Sequence, residues 1–234
     1  MIQQMLTALI IISFTIIVFL FMKKLYITYP LTLLTPILTS TIVIVIALNL
    51  VGISYETYMI GGYWMNQLLG PAIVGLAYPL YSQRKILADY KYVIASGVFC
   101  GVLAGMASGL LLALAAGINE QIIYSILPKS FTTPIAIELS SQAGGIPSLT
   151  AIFVMFAGLS GAVLGPQFLR LIKVTSPASI GIAMGCASHA IGTSKTAELG
   201  QTAFSMSSVS MTLSAVMGSF LSPIFLQLYH SFTL

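Results

Sequence analysis

Charge is what this sequence has least of: nine basic and five acidic side chains in 234 residues, 6% of the chain. A soluble domain covers itself with about 25% charged residues, so a water-soluble globule is excluded. Cysteine is sparser still, with two residues. Cys100 and Cys186 lie in separate segments with no spacing that would hold a metal or a disulfide framework, and reduced structural thiols are expected. No phosphate-binding loop and no metal-ligand cluster appears, so nothing supports ATP-driven chemistry. What fills the chain instead is hydrocarbon: 58% apolar residues and a mean hydropathy of +1.02.

Crossing ~30 Å of bilayer core takes roughly 20 apolar residues in a helix. Windows of that kind run over Gln4 to Met22, Leu31 to Val51, Trp64 to Tyr81, Tyr92 to Gly117, Leu149 to Ile172 and Ala203 to Tyr229. They are long and show no polar–apolar alternation, which excludes a β-barrel. The fold expected is all-α, a polytopic membrane protein of about seven or eight segments over a single domain, residues 1–234. Internal repeats are expected too, because Pro71 and Pro79, like Pro134, each interrupt an apolar helix and precede a Gly-rich span.

The net charge of +4 does not point to nucleic acid. Lys23, Lys24, Arg84, Lys85, Lys91, Arg170 and Lys173 fall at helix ends, where basic residues set orientation. The first window is followed by Lys23 and Lys24 and has no small-residue cleavage pattern, so it reads as a retained helix with its N-terminus outside. Arg170 and Lys173 share the inner side with the earlier clusters only if Asn119 to Gly145 is re-entrant or crosses an even number of times.

Two polar stretches break the apolar background, Leu127 to Pro147 and Gly185 to Glu198. Broken helix at membrane depth is tolerated where it is buried in protein or lines a wet cavity, so discontinuous or re-entrant helices are expected here. In the first, Pro128 removes a donor, while Ser130, Thr132 and Thr133 precede Pro134 at the start of a new helix. A helix N-terminus beside Lys129 favours a small anion such as a carboxylate; the bland alternative is a solvated loop. Glu138 would face the same cavity or a basic partner. The second stretch sets Ser188, His189, Thr193, Ser194 and Lys195 around Gly192. His189 could couple binding to a proton or be a satisfied interhelical side chain. Ser188–His189 and Ser194–Lys195 lack a third orienting group, so a hydrolase is disfavoured and no enzyme is expected.

Gly97, Gly101, Gly105 and Gly109 recur every fourth residue, as do Ala157, Gly161 and Gly165. Flat stripes of this kind read as helix packing or dimerisation. Ser205, Ser208, Thr212, Ser219 and Ser222 form a hydroxyl stripe that suits interhelical hydrogen bonds or the wall of a polar path.

Five ordered stretches resemble the LrgB/CidB family of holin-like bacterial membrane proteins, most closely its CidB branch. They are Ser54-Tyr-Glu-Thr-Tyr-Met-Ile-Gly-Gly62, Leu76-Ala-Tyr-Pro-Leu-Tyr81, Leu127-Pro-Lys-Ser130, Ile137-Glu-Leu-Ser140 with Gly144-Gly145, and Ala187-Ser-His-Ala-Ile-Gly-Thr-Ser-Lys195. The resemblance implies a protein of the bacterial cytoplasmic membrane beside a small LrgA/CidA-type partner. Two functions are implied, carriage of small monocarboxylates such as pyruvate, acetate or glycolate, or a holin-like pore or regulator of murein hydrolase activity, autolysis and programmed cell death. Expected partners are thus the lipid bilayer, that small membrane protein, a small carboxylate and further copies of the chain, with no cofactor and no metal.

Overall fold

Hydrocarbon offers no hydrogen-bond partner, so an apolar segment must close its backbone bonds internally, and helix does this. The computed structural model describes residues 2–29, 31, 34–75 and 77–233, and every regular element among the described residues is helical. The chain divides into two units, Met1–Ala72 and Ile73–Leu234. In the first lie α1 (Ile2–Thr28), α2 (Pro36–Val51) and α3 (Tyr55–Asn66), while α4 (Leu69–Gly75) runs across the division. The second contains α5 (Ala77–Ser82), α6 (Arg84–Asp89), α7 (Lys91–Ala115), α8 (Glu120–Ile126), α9 (Thr133–Ala143), α10 (Pro147–Leu171), α11 (Pro177–Thr196) and α12 (Gln201–Thr233).

Four helical stretches are long and apolar enough to cross a membrane: Gln3–Thr28, Lys91–Ala115, Pro147–Leu171 and Gln201–Ser231. The helix Pro36–Val51 is apolar but shorter. It begins five residues after the start of its predicted window, in which Thr32 and Leu33 lie outside the described residues.

The window Trp64 to Tyr81 is not a continuous helix, which corrects the sequence expectation. It contains the end of α3, then α4, then α5. Pro71 and Pro79 each stand third in a short helix, where a missing N–H costs least, and neither could sit in the interior of a long one without losing a bond. Leu76, between α4 and α5, lies outside the described residues.

Within the first unit, α1 packs against α2 and α3. Thr15 Oγ1 and Tyr58 OH share a 3.1 Å hydrogen bond, and Ser54 caps α3 by accepting from the Thr57 N–H at 3.2 Å.

The second unit has its core where α7, α10, α11 and α12 meet. Ile94, Val98, Val102 and Met106, one stripe of α7, are buried with Val154, Ile182, Met206 and Val209. Phe131, from the turn before α9, is buried in the same cluster with its ring where Gly218 leaves space on α12. The closest approach is α11 on α12. A Cβ at Gly181 or Gly185 would overlap the α12 backbone at Ala203 or Ser207.

Residues 120–143 form a discontinuous segment. At 1.5 Å per residue α8 is about 10 Å long and α9 about 16 Å, so neither alone crosses the hydrocarbon. Asn119 caps α8 by accepting from the Ile122 N–H at 3.1 Å. Gly144, at φ 85°, closes α9 in the left-handed region. The Thr150 hydroxyl donates to Ser140 Oγ at 2.6 Å, and Ser125 Oγ accepts from the Ile146 N–H at 2.8 Å. These bonds tie α8, α9 and α10 together. Thr150→Val would strand the fully buried Ser140 hydroxyl; a loss of about 1–3 kcal/mol is expected, read as a lowered unfolding midpoint in detergent.

Candidate functional site

The break before α9 and the break in α11 come to the same face of the second unit. After Ile126 the chain turns through Pro128, with the Lys129 N–H bonded to the Ile126 carbonyl at 3.1 Å and the Phe131 N–H to the Pro128 carbonyl at 3.0 Å. This presents Lys129 and Ser130 to α7. In α11, His189 has φ 40°, ψ −135°, a strained conformation for a side chain with a Cβ, and the chain turns back so that position 192 lies against the Met184 carbonyl. Backbone strain of this kind concentrates at functional sites.

Between them, α7, α10 and α11 form an open cavity of about 1160 Å³, many of whose lining residues, Ser96, Ser108 and Ser160 among them, are exposed. Its wall carries Lys129, Ser130 and Ser188 from the two breaks, serines 96, 108, 160 and 179, and the glycines 97, 101, 105 and 161. Lys129 is the single formal charge among the described lining residues. Its ammonium donates to the Gly105 carbonyl at 2.7 Å, and the same carbonyl accepts from Ser108 Oγ at 3.0 Å. A Cβ at position 109 would stand 3.0 Å from Lys129 Nζ, and one at 105 would stand 3.2 Å from Ser130 Oγ. The two missing side chains make the space in which the cation and hydroxyl sit.

The remaining predicted residues are dispersed. His189 is 3% exposed and its Nε2 lies 2.8 Å from the Val154 carbonyl, beside Gly158 rather than in the cavity wall. Thr193 bonds Ser207 Oγ at 2.9 Å, joining α11 to α12. Thr132 stands at the N-cap position of α9, but its buried hydroxyl does not cap the helix and has no partner; Thr133 is half-buried, and neither lines the cavity. Glu138 is exposed and accepts from Gln142 Nε2 at 2.8 Å. Ser194 is exposed and donates to the Ile191 carbonyl, while Lys195 pairs with Glu198 at 2.6 Å.

The glycine rows pack within the chain. Gly97 and Gly101 face Ile182 and Cys186 of α11, and Gly161 and Gly165 of α10 face Ser188 and Met184. Within the hydroxyl stripe of α12, Thr212 and Ser219 donate to carbonyls of their own helix, at 3.0 and 2.9 Å. The hydroxyl that crosses to α11 is Ser207.

A family model described as the LrgB-like family matches residues 15–228, across both units. The chain belongs to the LrgB-like family. A Bacillus subtilis relative, YxaC, is 54% identical over 228 residues, covering 97% of this chain and 99% of its own. The Staphylococcus aureus protein named holin-like protein CidB is 36% identical over 223 residues, 95% of this chain and 97% of that one. YwbG of Bacillus subtilis is 37% identical over 203 residues, 87% and 90% of the two chains. No solved structure matches the chain significantly. As an LrgB-like protein with four helices suited to a bilayer, this is a membrane protein.

Of the five stretches that carried the family resemblance, two reach the cavity, Leu127 to Ser130 and Ala187 to Lys195. Sequence reasoning missed the serines at 96, 108 and 160. The signal was present, since each directly precedes a glycine of one of the two glycine rows. On a helix the neighbour of a stripe residue lies 100° away, at the edge of the groove the stripe makes.

Proposed function

We propose that this LrgB-like protein is a membrane carrier of small monocarboxylates such as pyruvate, acetate or glycolate. One observation carries the reading: a lone ammonium, Lys129, held at the wall of a hydroxyl-bearing cavity between glycine-faced helices. Lys129 has no carboxylate partner among the described residues, and a half-buried cation without one in a membrane protein is costly enough to point to a function. Lys129 would take the carboxylate, with Ser130 beside it, and small walls would let the ligand approach backbone. The wider set from the two breaks, including Glu138, His189 and Lys195, has no cavity position that supports a direct role.

The setting proposed is a bacterial cytoplasmic membrane, with a small LrgA/CidA-type membrane protein as partner and with self-association. The relative named holin-like protein CidB favours a second reading, a pore or a regulator of cell-wall hydrolysis.

Purified protein in liposomes, alone and with the small partner, separates them. Under an imposed pH gradient, labelled pyruvate and acetate are expected to enter saturably and to compete with each other. Non-saturable leakage of unrelated solutes would establish the pore instead, and absence of flux in both preparations would sink the carrier.

A further inference from the structure

The cavity hydroxyls are not alike. Ser96, Ser108 and Ser160 donate to carbonyls of their own helices at 3.2, 3.0 and 3.2 Å. Ser188 does not. It is 1% exposed, lines the cavity, and its Oγ has no hydrogen-bond partner. Buried polar groups are almost always paired, because an unpaired one bears its full desolvation cost. Among the described residues the Thr35, Thr132 and Ser210 hydroxyls are also buried without a partner, but of the four only Ser188 lines the cavity.

Opposite Ser188 stands Gly161, itself part of the cavity wall. A Cβ there would overlap the Ser188 hydroxyl and lie 2.7 Å from its Cβ. On the other side, Ser188 immediately precedes the strained residue His189, whose ring is fixed by the Val154 carbonyl. The backbone beside the hydroxyl is therefore fixed, and the buried hydroxyl sits at the cavity wall in the space that Gly161 and Gly192 leave by lacking side chains. Lys129 and Ser188 reach the same cavity from the two helix breaks, one bringing charge and the other an open hydrogen-bonding valence.

We propose that Ser188 contacts the transported acid, hydrogen-bonding an oxygen on the carbon next to the carboxylate while Lys129 takes the carboxylate itself. Gly161 is the positioning residue that leaves the hydroxyl free to do so. The inference rests on the carrier reading and deepens it. A hydroxyl both donates and accepts, so it serves 2-oxo and 2-hydroxy acids alike. An unsubstituted acid offers it nothing and leaves it dry and unpaired. Sites built to bond a substrate oxygen reject the analogue without it more strongly than apolar pockets reject a surplus methylene.

The test compares labelled pyruvate with propionate, which has the same chain length, in liposomes containing the full chain. Wild type is expected to favour pyruvate about tenfold or more. Ser188→Ala should bring the ratio near one by lowering pyruvate uptake while propionate uptake persists; Lys129→Ala should lower both together. Gly161→Ala should also collapse the ratio, a readout independent of how much protein is recovered.

A wild-type ratio near one, or a Ser188→Ala variant that keeps the wild-type ratio, overturns the assignment of Ser188 and leaves saturable uptake and the carrier reading standing. Failure of wild type to take up either acid saturably overturns both.

Discussion

Lys129→Ala is expected to lower kcat/KM for carboxylate uptake by roughly 10- to 150-fold, the equivalent of losing a charged hydrogen bond worth about 1.5–3 kcal/mol. Membrane abundance should not fall, because the ammonium makes one bond, to the Gly105 carbonyl, and that carbonyl keeps the Ser108 hydroxyl as a partner. Lys129→Arg should restore little. The ammonium fits because position 109 has no side chain, and a planar guanidinium is larger than the point charge it replaces. Initial rates in liposomes, normalised to reconstituted protein, provide the measurement. Uptake by Lys129→Ala at the wild-type rate would remove the anion site.

The largest stability effect is expected at Gly185. In an open helix, replacing glycine with alanine gains about 1 kcal/mol in propensity. At Gly185 the added Cβ would overlap the Ser207 carbonyl and stand 3.0 Å from the Met211 backbone nitrogen. Neither is the tip of a flexible side chain, so α11 and α12 must separate along their tightest contact. Overpacking of this kind costs about 1–3 kcal/mol and occasionally more. Against backbone the upper end applies, and the net effect is destabilising. Gly185→Ala should unfold in detergent several degrees below wild type, at roughly 2–4 °C per kcal/mol for a chain of this size. Gly70→Ala is the control, since nothing lies within 4 Å of a Cβ there. Equal midpoints for Gly185→Ala and Gly70→Ala would show that the approach of α11 to α12 is looser than the structure has it.

Hydropathy made the long helices legible. The windows beginning at Tyr92, Leu149 and Ala203 start within two residues of α7, α10 and α12. The same measure failed at Trp64 to Tyr81, because it counts hydrocarbon and is blind to the donors that Pro71 and Pro79 lack. It also passed over α11, whose glycines, serines and alanines carry little hydropathy although eleven of its residues are buried. The discontinuity near Leu127 was readable from proline and hydroxyl chemistry.

At the site, Lys129, Ser130 and Ser188 could be picked out because charge and hydroxyls are conspicuous in an apolar chain. Which of the neighbouring polar residues shared a cavity could not. His189 follows Ser188 in sequence, yet the bend at that point sends its ring to Val154. The glycine rows were legible as flat faces. That the faces line the cavity as well as pack depends on a third helix, α11, which the sequence pattern left unplaced.

The two glycine rows have one more consequence. Ile182 and Cys186 are four residues apart, as are the gaps that receive them at Gly97 and Gly101; across the groove, Met184 and Ser188 match Gly165 and Gly161 in the same way. Guest and host therefore share one spacing, like teeth and notches of equal pitch. A shift of α11 by four residues of rise, about 6 Å, would be needed to seat Cys186 in the notch at Gly97, whereas a shift of half that would set its side chains against the ridges between notches. The groove is thus commensurate with α11 at four-residue steps, and the seat that α11 occupies is the one in which all four gaps are filled at once.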